Sequence, residues 1–406
     1  MNVAQFVENK QLIQEAKSAA VRRVLKALQE NAPLSLDDLV ERTSLGSNTL
    51  TPTLLELMSN NLVSDGEGAD IEFNLRKFSL KADPHLVAGL KLSNKIASVV
   101  IMDFAGNIVG DFSTAPPKPI LDPDELVDFV KSILDDSLEK IGKSLDQLSA
   151  VGLGLPGLVD AEKGVVHWSP HFSKHNFSLK KALRDKIGAD VFIDNDANLL
   201  ALAEHRHGSA KGLRNFIVVS VETGIGLGVY ANGEIYRGTH GRGAELGHIK
   251  VQIDGAQCLC GQRGCLEAYL GGYAVLNEAK LVIPLDTSLT YEEQMNTLLE
   301  AADRGHVRAR NILLRSGRMF AIGLANIVNI LAPELIVLTT KRLEGNPDYL
   351  NALIDELCVS VTQMGGTPPD VVLNKWDEQK WALGAATLAV DRVTDAAITK
   401  MSEQPR

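Results

Sequence analysis

The 406-residue sequence contains no run of about 18 apolar residues, so no membrane-spanning helix is expected. Its opening stretch, MNVAQFVENKQLIQEAK, lacks an apolar h-region and a small-residue cleavage site, so a secretory signal is not expected either. Positive charge is in deficit: 41 Lys and Arg stand against 51 Asp and Glu, a net charge of −10. Phosphate affinity comes mainly from Lys and Arg, so this balance excludes indiscriminate coating of nucleic acid. No low-complexity segment or short-period repeat is present, which excludes a solenoid. Cysteine is scarce, at four residues, and Cys258, Cys260 and Cys265 lie within eight positions. Thiols so close together cannot build a disulfide framework, and a reducing, cytoplasmic location is expected. What remains, 45% apolar and 23% charged residues, is ordinary for an enzyme or small-ligand binder of two or three domains.

Residues 9–80 carry a pattern of their own. Leu12, Ile13, Ala16, Ala19, Ala20, Val24, Leu25 and Leu28 recur at helical spacing, and Asn31-Ala32-Pro33 ends that helix. Ser35 followed by Asp38 is a capping signature that opens a short helix carrying Leu39 and Val40. Turn residues 45–48 lead into a helix expected over 49–60, with Leu50, Leu54, Leu57 and Met58 inward and Pro52 in its first turn. Residues 71–73 and 78–80 form an expected hairpin. Helix, helix–turn–helix and two-stranded wing is the order of a winged-helix DNA-binding module, here placed at residues 1–82. Ser47, Asn48, Thr49, Thr51 and Thr53 are its candidate contacts to phosphates and base edges. The same helix has no Lys or Arg, and residues 1–80 hold 8 basic against 11 acidic residues. A small helical adaptor or dimerisation element fits the pattern too, so both readings stand.

After Asp83-Pro84, strands and helices interleave. Strands are expected over 85–92, 97–103, 107–112, 149–155, 191–194, 216–221, 226–231, 234–236 and 335–338. Helices are expected over 123–142, 196–208 and 307–331, with a last one starting near Ala385. This order indicates an α/β architecture with mixed sheets.

Four motifs carry chemistry. In Cys258-Leu-Cys260-Gly-Gln-Arg-Gly-Cys265, with His248 ten residues upstream, three thiolates and one imidazole complete a tetrahedral zinc site. A closed Cys₃His shell leaves no position for water, so this zinc is expected to be structural. Asp194-Asn195-Asp196-Ala197-Asn198 follows an apolar strand, at the strand end where α/β sheets gather ligands. A carboxylate there can take a proton from a hydroxyl, or it can simply cap the helix that follows. Glu245-Leu-Gly-His248, with Glu267 beyond the cysteines, adds carboxylates and an imidazole whose orientation the metal would fix. Such acceptors suit a polyol. The last motif, Glu222-Thr-Gly224-Ile-Gly226-Leu-Gly228, serves either as a phosphate cradle or as a plain hairpin turn.

In this order the motifs resemble the ROK family, which groups sugar repressors, sugar kinases and unassigned reading frames. The resemblance runs from about Pro84 to Val390 and includes Gly154-Leu-Pro-Gly-Leu-Val-Asp160 and Ser169-Pro170-His171. The N-terminal module looks like the winged helix of the family's sugar repressors. The resemblance implies an actin-like, hexokinase-type two-lobed fold, with a small lobe at 84–195 plus 385–406 and a large lobe at 196–384. It also implies that Asn195, Asp196, Glu245, His248 and Glu267 contact the sugar, with Asp196 the general base in a kinase.

The departures bear on the choice between kinase and repressor. The family's kinases carry Asp-x-Gly-Gly-Thr after their first strand, where this chain has Lys91-Leu92-Ser93-Asn94-Lys95. A Cβ where the backbone must approach a triphosphate is a steric obstacle. The adenosine-side Gly-Gly is replaced by Thr339-Thr340-Lys341, and the wing turn reads Gly66-Glu67-Gly68-Ala69-Asp70 where the repressors carry arginine. The expected function is a sugar-responsive transcriptional regulator, a homodimer or dimer of dimers on operator DNA, with a sugar or sugar phosphate in the interlobe cleft. The alternatives are an ATP-dependent sugar kinase with an appended module, and a regulator whose signal is a sugar-transporter domain docked on the C-terminal helix.

Overall fold

The computed structural model describes residues 3–66, 71–340, 347–361, 369–375 and 377–403. Val21, Val24, Leu25 and Leu28 are buried along one side of the helix Val3–Asn31. The side chains of Leu12 and Ile13, and wing residues 67–70, lie outside the described residues. Ser35 opens the helix Leu36–Thr43 through the expected reciprocal cap: Asp38 N donates to Ser35 Oγ, and Ser35 N donates to Asp38 Oδ2. The next helix, Ser47–Ser59, starts earlier than expected, at the extended Gly46. Pro52 therefore lies past its first turn, where it offers no N–H to Asn48 O. Asn48 is exposed, so water can take that carbonyl.

The wing also differs from expectation. Lys77–Leu80 pairs with Val63–Ser64 on one side and with Leu34–Ser35 on the other. Residues 71–73 are not its partner strand. The segment instead turns at Phe73–Leu75, a 3-10 helix in which Arg76 N donates to Phe73 O, while the Arg76 side chain bonds Ile71 O at 2.9 Å and Asp65 at 2.7 Å. The head's core is closed partly by distant residues, Phe104, Ile398 and Met401.

The chain divides into two compact units. The first comprises Met1–Gly157, Lys163–Asp194 and Ala382–Arg406. Its five-stranded sheet runs Asp190–Asn195, Leu148–Leu155, Leu86–Leu92, Ala97–Asp103, Ile108–Thr114 in spatial order. Leu86–Leu92 is parallel to Leu148–Leu155 and antiparallel to Ala97–Asp103. The second unit comprises Leu158–Glu162 and Asn195–Trp381. Its sheet runs Glu234–Ile235, Ile225–Ala231, Phe216–Val221, Leu335–Thr339, Asp370–Asn374. The apolar helix Val307–Leu331 buries Phe320 and Leu324 with Ile217 and Ile336 of that sheet. The expected strands lie within about two residues of those observed, while the edge strand Asp370–Asn374 is not among those expected.

The C-terminal helix Glu378–Glu403 starts before its expected position and lies against the first unit's sheet at two glycines. A Cβ on Gly89 would fall 2.1 Å from Ala386 N, and one on Gly152 would fall 2.0 Å from Ala385 O. The neighbouring Ala382, Ala386 and Ala389 are fully buried, so helix and sheet meet backbone to backbone. Gly152→Ala should therefore destabilise the protein by roughly 3 kcal/mol, the upper range for overpacking, as read by urea denaturation. A loss under about 0.5 kcal/mol would mean that the helix is not held against this strand.

Candidate functional site

The cysteine segment folds as two tight turns. Cys258 N donates to Gln262 O at 2.8 Å, Gly261 N to Cys258 O at 3.0 Å, and Gly264 N to Ala256 O at 2.9 Å. Gly264 is left-handed at φ 73°, and a Cβ there would strike Gln252 O at 1.8 Å, so only glycine closes this loop. Leu266 N donates to Ile249 O, which brings the segment beside His248. The ligand atoms of His248, Cys258, Cys260 and Cys265 then lie within 4.8 Å of one another.

Individual edges are informative. Cys258 Sγ lies 3.8 Å from His248 Nδ1, and Cys260 Sγ lies 3.8 Å from Cys265 Sγ. Metal–sulfur bonds of about 2.3 Å in a tetrahedron give sulfur–sulfur edges of about 3.8 Å, so the donor set fits a single ion. Two neighbours that sequence reading passed over complete the surroundings. Lys250 Nζ donates to Cys265 Sγ at 3.1 Å, and Tyr273 OH donates to Cys258 Sγ at 3.7 Å. An antiparallel bridge between Lys250 and Cys265 sets the first contact, and spacing alone gives no signal for it.

His248 turns Nδ1 to the sulfurs, which leaves its other ring nitrogen for a second role. Glu245 and Glu267 stand close enough to interact with each other. Loss of water around Glu245 holds its carboxyl above the usual range, opposed by His248 and helped by Glu267. Gly247 and Gly224 both flank Glu267: a Cβ on either would lie 3.2 Å from its Oε2.

The Asp-Asn-Asp cluster separates into three roles. Asp194 is fully buried. Asn195 is the cap of the helix Asp196–His207, its Oδ1 accepting from Ala197 N at 2.9 Å. Asp196 stays half-buried in the first turn. The glycine-rich stretch is a hairpin between Phe216–Val221 and Ile225–Ala231. Its glycines serve packing: a Cβ on Gly228 would lie 2.3 Å from Ala197 O, so the hairpin closes onto the helix that carries Asp196.

In the head, Ser47, Asn48 and Thr49 are exposed at the start of their helix, and Thr51 is half-buried. Thr53 does not join them. It is 6% exposed and its hydroxyl donates to Thr49 O at 2.7 Å, because its position faces the head's core. In the first unit Lys91 is 5% exposed. It acts on His171, whose pKa is lowered to about 4, first by burial and then by the Lys91 charge, against a backbone hydrogen bond to Pro119.

Two outcomes follow from this geometry. Replacing Cys258 and Cys260 by Ser should abolish binding of about one metal ion per chain and destabilise the second unit by several kcal/mol, by metal analysis and calorimetry. Unchanged stability in that variant would remove the cluster's structural role. For His171, the folded pKa lies below the ordinary 6.5, so its stabilising share is present above pH 6.5 and lost as pH falls toward 4. Stability should drop across that window by no more than about 3 kcal/mol on this account, at about 1.4 kcal/mol per pKa unit. His207, also lowered to about 4, titrates in the same range, so His171→Gln should remove only part of the slope.

Comparison with known proteins places this geometry. The model of the ROK family matches residues 89–392, and that of the DprA winged helix domain matches residues 9–57. The chain is 28% identical to the xylose repressor of Bacillus spizizenii over 391 residues, covering 95% of this chain and 98% of that one. A solved ROK family transcriptional regulator, a homologue of the E. coli Mlc protein, superimposes with a TM-score of 0.80 at 20% identity, over 95% of this chain and 99% of its own. The ROK hexokinase of Thermus thermophilus superimposes with a TM-score of 0.66 at 29% identity, over 76% of this chain and 99% of its own. The family model covers the strands, the Asp-Asn-Asp cluster and the cysteine turns together: this chain belongs to the ROK family.

Proposed function

We propose that this protein is a transcriptional regulator, a repressor that binds operator DNA as a homodimer and responds to a sugar or sugar phosphate. One observation carries the reading: a winged-helix head stands in one chain with a buried lysine, Lys91, where the family's kinases need an acid, beside the five candidate polyol contacts. Asn195, Asp196, Glu245, His248 and Glu267 would bind the sugar hydroxyls. Zinc, held by His248, Cys258, Cys260 and Cys265, would fix the imidazole and supply no reactive position. Ser93 and Asn94 stand where glycines would let a triphosphate reach the backbone. The xylose repressor, similar along nearly its whole length, supports the same assignment.

The head would read DNA through Ser47, Asn48 and Thr49, with Thr51 at the margin. Its cations are mostly engaged: Lys17 with Glu56, Arg22 with Asp395, Arg76 with Asp65. Arg42 and Lys77 are exposed. Four such charges in a dimer give a salt slope near −4 on a logarithmic plot, shallow for a DNA-binding dimer.

A kinase is the competing reading, and half-buried Asp196 at its helix start favours it. Electrophoretic mobility shift with the protein's own upstream DNA, across 50–200 mM salt and with D-xylose, D-glucose, N-acetylglucosamine and their phosphates, separates the two. The regulator shifts the DNA with a slope of about −4, and at least one sugar changes the shift by about tenfold. ATP-dependent phosphorylation of any of these sugars, abolished by Asp196→Asn, would establish the kinase instead.

A further inference from the structure

The loop before Glu245 is held in an unusual backbone state. Gly238 (φ 63°, ψ −178°), His240 (φ 57°), Gly241 (φ 70°) and Ala244 (φ 63°) all have positive φ within seven residues. Two of them, His240 and Ala244, carry side chains that disfavour this region, at about 1–3 kcal/mol each. Strain of this kind persists only when neighbouring groups over-determine it. Here the neighbour is the segment Leu158–Asp160, at the end of the Gly-Leu-Pro-Gly-Leu-Val-Asp motif.

Two contacts join them, both inside the second unit. The Asp160 carboxylate is 2% exposed, and its Oδ2 lies 3.2 Å from His240 Nδ1. Next to this pair, a Cβ on Gly241 would fall 1.9 Å from Val159 O, so the two backbones are in direct contact. The loop then closes on itself, with Gly243 N donating to Arg237 O at 3.0 Å. Leu246 N donates to Ala244 O at 2.9 Å and His248 N to Glu245 O at 3.0 Å. A run of tight turns therefore links the clamp to Glu245 and His248, with no slack residue between them.

We infer that Asp160 is a positioning residue for Glu245, acting through His240. The buried carboxylate holds the His240 imidazole, keeps its backbone left-handed, and so fixes where the Glu245 carboxylate is presented. The inference rests on the reading of Glu245 as a sugar ligand, while the clamp itself is a property of the loop that can be measured without any sugar.

The test compares the full-length wild type with Asp160→Ala, Asp160→Asn and His240→Gly. Amide hydrogen exchange across residues 242–248 should quicken at least about tenfold in Asp160→Ala and His240→Gly, with exchange in Phe216–Val221 unchanged. Glycine accepts the left-handed conformation, so His240→Gly should unfold within about 3 °C of the wild type or above it. It keeps the proposal testable if Asp160→Ala does not fold. Asn can still accept the His240 hydrogen bond, so Asp160→Asn should retain most of the wild-type protection. Calorimetric titration with D-xylose, D-glucose and N-acetylglucosamine reads the consequence. Whichever the wild type binds should bind about tenfold more weakly to Asp160→Ala and His240→Gly, the loss typical of a removed supporting contact. Unchanged exchange in both variants would overturn the clamp, and quickened exchange with unchanged sugar affinity would overturn its role in positioning Glu245. A wild type that binds none of these sugars, nor their phosphates titrated in the same way, would overturn the sugar reading, with the clamp still judged by exchange alone.

Discussion

Contact between bare backbones underlies the first unit. Sheet and C-terminal helix approach so closely at Gly89 and Gly152 that no side chain fits between them. The helix answers with alanines on that face, Ala382, Ala385, Ala386 and Ala389, each fully buried. Further along, the same helix supplies Ile398 and Met401 to the core of the N-terminal head. At its start, Trp381 belongs to the cluster of Phe216, Tyr230 and Leu335, and Lys380 pairs with buried Glu204. One helix thus contributes to three separate cores, and the small residues at its middle leave it no alternative seat.

That arrangement orders the head largely through apolar packing. Its core is closed by tertiary packing, and several of its cations are tied to carboxylates or carbonyls. Lys17 and Arg76 brace the helix Ser47–Ser59 and the wing, so each is partly withdrawn from any phosphate. On the proposed reading, such a head would gain little from counterion release and would depend on shape and hydrogen bonding, which favour one sequence over another.

Much of this was legible in the sequence where the deciding signal is local. The cysteine turns were readable because all three thiols and both left-handed glycines fall within eight residues. The capping box at Ser35 and Asp38 is a three-residue device. Several buried strands are marked by dense Val, Ile and Leu, as in Phe216–Val221 and Leu335–Thr339. What stayed hidden is set by contacts between distant positions. Thr53 looks like its polar neighbours until the helix is laid on the core, which places it inward. Residues 71–73 alternate like a strand, yet the chain turns there into the 3-10 helix Phe73–Leu75. Asp160 and His240 are eighty residues apart, and no periodicity links them. Lys91 marks a departure from the kinase motif in sequence, but its near-complete burial depends on the strands around it.

The same separation bears on what a ligand can do here. In a sugar kinase, binding energy serves the chemical step to the extent that contacts tighten in the transition state. On the proposed reading, a chain with these polyol acceptors and a buried Lys91 in the acid's place would have no phosphoryl group to stabilise. Sugar binding would then bias an equilibrium between states of the protein, by as much as its affinity differs between them. A ligand that bound both states alike would change nothing, however tightly it bound. On that reading, Glu245 presented by a strained loop and His248 oriented by a metal would sharpen that difference. A displaced loop loses several directed hydrogen bonds together, and not one at a time. Precision built for catalysis is for this reason also suited to sensing, because both require that a small change in geometry carry a large change in binding free energy.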